Sequence, residues 1–142
     1  MPEELVFISN TIGTWSVRDI IAHLAAWNWE AIEEVGRVLK NAATWPDRYE
    51  DKAGEDAFNW KAVEKCKAML WPEVLKDWDD SFWVQIKKME QIQDKEWAYQ
   101  CRGHSWKDGS PVTVFSLFSN EYEGEGHEGG HAKQIRKYLD GR

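Results

Sequence analysis

The sequence predicts an all-α helical bundle. Apolar residues recur at steps of three and four through three long stretches, the repeat of a helix with one buried face. Alternation of period two never lasts long enough to require a sheet. Two strong helix starts punctuate the chain, one at Ser16 and one at Ser110-Pro111.

The first helix opens at Trp15-Ser16-Val17-Arg18-Asp19. Ser16 can cap backbone N–H groups and Asp19 can reach back to it, a capping box with Asp in place of Glu or Gln. Val17, Ile20, Ile21, Leu24, Trp27, Ala31, Ile32, Val35, Val38 and Leu39 then recur at steps of mostly three and four, the pattern of an amphipathic helix that ends near Asn41. Thr44 to Glu55 holds Pro46, Gly54 and no apolar period, and reads as a surface connection. A second helical pattern starts at about Asp56, passes Phe58, Ala62, Cys66, Met69 and Leu70, and resumes as Val74, Leu75, Trp78, Phe82, Ile86, Met89 and Ile92. Pro72 interrupts it, so the helix either kinks there or ends and restarts with Pro72 and Glu73 in its first turn; because Trp71 is a poor N-cap, the kink is favoured.

Beyond Asp94 the pattern dissolves until Gly109. Ser110 as cap and Pro111 in the first turn then predict a last helix from Pro111 to about Leu139. At about 100° per residue, Phe115, Phe118 and Tyr122 share one face, while His127, His131, Ile135 and Tyr138 lie half a turn away. A straight helix cannot bury both faces. The glycine-rich stretch from Glu123 to Gly130 must therefore reset the phase, by a loop or by a wide-turn bulge.

A chain of 142 residues has the size of one domain, so residues 1–142 are read as a single unit. Its net charge of −7 repels phosphate backbones and anionic lipid heads, which argues against nucleic acid and membrane surfaces as partners. No apolar run resembles a signal peptide or approaches the roughly 18 residues that a membrane span needs. Cys66 and Cys101 form no C-x-x-C pair, and Cys66 falls in step with the apolar face. A cytoplasmic protein with reduced thiols is the expectation. The ten tryptophans are unusual for this length. They suit a core with polar fittings or a ring-lined groove; Trp27, Trp29 and Trp60 are the candidates for lining a cleft that accepts a flat apolar molecule.

Chemistry concentrates in His127-Glu128-Gly129-Gly130-His131. Histidines four apart on a helix stack on one face, so both imidazoles can address one ion. A zinc-type catalytic site commonly uses three protein ligands. His23, on the flank of the first helix with Trp27 and Glu30, is the candidate third ligand, and His104 is the fallback. Three neutral imidazoles favour Zn, Ni, Cu or Fe over Mg or Ca, with Zn or Ni first, and leave the full 2+ charge to acidify a water or thiol. Glu30 and Glu123, one or two turns from these ligands, are candidates for the base or for supporting acceptors. No Walker loop, G-x-G-x-x-G or G-x-S-x-G competes with this cluster.

Two stretches carry a family resemblance. Trp15 to Leu24 followed by Trp27, and His127 to Arg136, resemble the two signature stretches of the DinB-like (YfiT-like) metalloproteins. Phe58-Asn59 through Trp78 to Trp97 is similar to the ClbS/DfsB-type branch of these four-helix bundles. The likeness covers about residues 3 to 139. It implies an up-down bundle with a divalent metal held by His23, His127 and His131 at one end of a cleft. It also implies a metal-dependent hydrolase or thiol S-transferase acting on a small electrophile, in some members with a low-molecular-weight thiol as co-substrate. A non-catalytic protein that sequesters a toxic small molecule in an aromatic cleft is the alternative. The chain departs from the family in lacking the long helix that usually precedes the Trp-Ser stretch, where Pro2 to Ile8 resemble only its end. A homodimer is therefore expected to cover the exposed apolar surface.

Overall fold

A computed structural model describes residues 3–8, 13–119 and 126–141, and among them every regular element is a helix. These are α1 (Glu3–Val6), α2 (Val17–Leu39), α3 (Trp45–Arg48), α4 (Lys52–Cys66), α5 (Trp71–Gln91), α6 (Asp94–Trp97), α7 (Val114–Phe118) and α8 (His127–Asp140). The all-α expectation holds. None of these helices is long and apolar enough to cross a membrane.

The central element is α2, which packs against α5, α4, α7, α8 and α1. Its start is the expected capping box: Asp19 N donates to Ser16 Oγ at 3.2 Å, and Ser16 N donates to Asp19 Oδ2 at 2.9 Å. Val17, Ile20, Leu24, Ala31, Val35 and Val38 form its buried stripe. It stops where Asn41 takes the left-handed conformation (φ 57°) and Ala42 N donates to Arg37 O at 2.9 Å, closing the last turn.

The main apolar core lies at the C-terminal end of α2. Val35 and Val38 pack there with Ala43, Ile92, Cys101, Val112, Val114 and Leu117. Cys66 and Cys101 are both buried free thiols. One charge is enclosed beside this core. The Glu34 carboxylate accepts from Thr44 N at 2.6 Å, Thr44 Oγ1 at 2.9 Å, Trp45 N at 2.9 Å and Arg37 Nη1 at 3.0 Å, which pins the α2–α3 turn.

Several local expectations are corrected. The connection from Thr44 to Glu55 contains α3, and α4 begins at Lys52 rather than near Asp56, because Asp51 caps it by accepting from Gly54 N at 2.7 Å. The expected kink at Pro72 is a break: α4 ends at Cys66 and α5 restarts at Trp71 with Pro72 in its first turn. Leu70, not Trp71, holds the cap position, and its N–H is taken by Glu73 Oε2 at 2.6 Å.

Ser110-Pro111 does not start a helix. Pro111 forms an isolated antiparallel bridge with Ser105, Cys101 N donates to Val112 O at 2.8 Å, and Thr113 is the cap of α7. The segment thus doubles back before α7, helped by Gly109 at φ 81°. The single helix from Pro111 to Leu139 is two, since α7 ends at Phe118 and Gly126 is extended (ψ 169°) just before α8. Tyr122 and Glu123 lie outside the described residues.

Candidate metal centre

His23 is carried in the N-terminal half of α2 and is buried. His127 and His131 occupy the first turns of α8. One ligand atom from each lies within 4.8 Å of the other two, so the structure brings the three predicted histidines together. His23 Nε2 and His127 Nε2 are 2.9 Å apart, close enough for one ring to donate to the other. Nitrogens on one tetrahedral ion with usual Zn–N bonds stand about 3.3 Å apart, so rotating the rings by an ångström or so is what ligation requires.

Each ring is kept neutral by its surroundings. Burial, then His127 and His131, push the His23 imidazole down to about 3. His127 is pushed down to about 4 by burial and then by His131, and His131 is lowered by burial against the support of Gln134. Neutral imidazole is the form that binds a cation, and a cluster of three that cannot easily protonate is matched to one. His131 Nδ1 lies 2.9 Å from Gln134 Oε1, the outer hydrogen bond that fixes a ligating histidine's tautomer. His23 Nδ1 is buried without a well-formed hydrogen bond, although the nearby Asn59 amide lends the ring slight support.

Tryptophans wall His23. The Trp15 ring centroid is 4.9 Å away and that of Trp27 is 6.4 Å away. Trp27 Nε1 donates to Asn59 Oδ1 at 2.8 Å, and its ring packs on Trp45, Tyr49 and Phe58. Beyond that aromatic layer a hollow of about 460 Å³ opens between α2, α3 and α4, lined by Tyr49, Phe58, Arg48, Lys61 and Lys65. Burial pushes the Tyr49 phenol up to about 12.

The remaining sequence candidates stand elsewhere. Trp29 Nε1 donates to Asp77 Oδ1 at 2.9 Å, and Trp60, 61% exposed, lies under Lys67 Nζ. Glu30 accepts from Arg48 at 2.8 Å and from Arg37 at 3.0 Å. It lies two helical turns beyond His23, and its ion pair with Arg48 links α2 to α3. His104 stands in the segment that doubles back ahead of α7. Glu123 falls outside the described residues.

Sequence reasoning gave no role to Trp15, Asn59, Gln134 or Glu128. Gln134 was findable, because a residue three beyond His131 shares its helix face. Asn59 and Glu128 act across helices, and spacing along one chain segment does not report that.

Comparison of the chain with protein-family models, with curated proteins and with solved structures finds no match.

Proposed function

We propose that this protein is a divalent-metal-dependent enzyme of the DinB-like superfamily that acts on a small electrophile by hydrolysis or thiol transfer. The observation that carries the proposal is the meeting of His23, His127 and His131 within 4.8 Å, in a buried setting that holds all three neutral. The motif order supports the family reading, with one histidine on the first long helix and two on the last.

His23, His127 and His131 would hold the ion, with Zn or Ni the best match to three imidazoles. When bound, such an ion supplies Lewis acidity, which polarises an electrophile and makes a neighbouring water or low-molecular-weight thiol easier to deprotonate. Gln134 orients His131. Trp15 and Trp27 exclude water from one side of His23 and offer flat apolar faces to a substrate. The up-down bundle architecture of the family is part of this reading, as is a homodimer. Trp60, Leu70, Trp83 and Phe115 are 54% to 70% exposed, which suits burial against a second copy. A monomer by light scattering at micromolar concentration would remove the dimer from the proposal.

Elemental analysis tests the core of it. The purified protein should carry about one equivalent of Zn or Ni, and His127→Ala less than about 0.1 equivalent. A metal-free wild type that gains nothing on reconstitution would overturn the enzyme reading and favour a binding protein. Once metal is confirmed, electrophiles screened with and without thiol separate transferase from hydrolase.

A further inference from the structure

Glu128 stands between two of the candidate ligands, yet its carboxylate faces the scaffold. Its Oε1 accepts from Asn28 Nδ2 at 2.8 Å and from Trp78 Nε1 at 3.2 Å. The Asn28 amide also reaches Ser81 Oγ at 3.3 Å, and Ser81 Oγ donates to Trp78 O at 2.8 Å. Asn28 and Ser81 are buried, at 6% and 0% exposure. One oxygen of α8 is thus clasped by a polar node that also joins α2 to α5.

The first turns of α8 need such an anchor. Gly126 supplies no side-chain cap, and Gly129 and Gly130 both weaken the helix where it carries His127 and His131. A helix of 14 residues is marginal without tertiary contacts. The clasp falls on the residue directly after His127, and Asn28 lies on the same helix as His23. Fixing Glu128 to Asn28 therefore fixes the height and rotation of α8 against α2, the two variables that decide whether His127 meets His23.

The pattern H-E-x-x-H on a helix also admits another role, since in zinc hydrolases that glutamate acts as the general base. Here both donors converge on Oε1 from α2 and α5, which ties the carboxylate to the scaffold. We infer that Glu128 is the positioning residue of the three-histidine centre, acting through the Asn28–Trp78 clasp. The inference rests on the proposed metal site.

Cobalt(II) titration followed by visible absorption tests it, with wild type, Glu128→Gln, Glu128→Ala and Trp78→Phe. Gln keeps the Oε1 acceptor and should bind Co²⁺ with the wild-type spectrum and within about threefold of its affinity, whereas Glu128→Ala should bind about 10- to 100-fold more weakly with an altered ligand-field band. Trp78→Phe removes one clasping N–H without touching α8 and should weaken binding in the same direction. It carries the test if Glu128→Ala does not fold. Wild-type affinity in Glu128→Ala, or in Trp78→Phe where that variant carries the test, would overturn the positioning role and leave the metal site standing. A wild type that binds no Co²⁺ would instead overturn the metal reading underneath.

Discussion

A carboxylate shut off from water is tolerated only when its oxygens are fully engaged, and Glu34 at 0% exposure meets that condition with two backbone N–H groups, a hydroxyl and a guanidinium. Glu34→Ala should cost about 3 kcal/mol in urea unfolding, because it strands those donors in a dry site, and Glu34→Gln should cost less by retaining an acceptor. The histidines make the opposite bargain with solvent. In metal-free protein His23 and His127 titrate at about 3 and about 4, against an ordinary value of 6.5 for exposed imidazole. Between those values the unfolded chain binds protons that the folded one refuses. Stability should be full above pH 6.5 and fall as the pH drops toward 4, by up to about 1.4 kcal/mol per pH unit for each histidine. Replacing His23 with Leu should flatten that slope. A metal-free wild type whose unfolding free energy is constant from pH 7 to pH 4.5 would contradict the burial argument.

Among the elements, α2 was the most legible from sequence, because its stripe and its Ser16–Asp19 box say the same thing. Asp19 accepts from Ser16 N and Oγ and also from the Cys66 thiol at 3.6 Å, so Asp19→Ala should cost about 1–2 kcal/mol and fray the first turn, measurable by hydrogen exchange at residues 17–20. The histidine trio was legible for the same reason: the four-residue spacing of His127 and His131 is a property of one helix. What escaped was decided by atoms distant in sequence or by unusual caps. Leu70 is no standard N-cap, and only Glu73 reaching back makes that position work, so Pro72 read as a kink. Ser110-Pro111 has every mark of a helix start, but pairing with Ser105 and of Cys101 with Val112 claims the backbone first. The short helices α3 and α6 bury no residue fully and carry no period long enough to see.

At the scale of the molecule, the core cluster around Val35 and Val38 and the candidate chemistry lie toward opposite ends of α2, although its buried stripe runs the whole length. Val35 and Val38 in the core are 12 and 15 residues past His23, about 18–22 Å along the axis. The two ends should respond independently to substitution. Leu117→Ala should lower stability by about 2–4 kcal/mol while leaving metal affinity unchanged, whereas His127→Ala should abolish metal binding and cost little in the metal-free state. Calorimetry on both variants with and without Zn²⁺ checks this; a large affinity loss in Leu117→Ala would show the ends to be coupled.

The placement of Trp15 and Trp27 against His23 has a practical consequence. An indole within a few ångströms of a paramagnetic ion loses emission efficiently, while indoles far from it keep theirs. Two of the ten tryptophans flank the centre, so Cu²⁺ or Ni²⁺ should dim part of the ultraviolet emission and leave the rest lit, and the chain carries its own label-free gauge of occupancy.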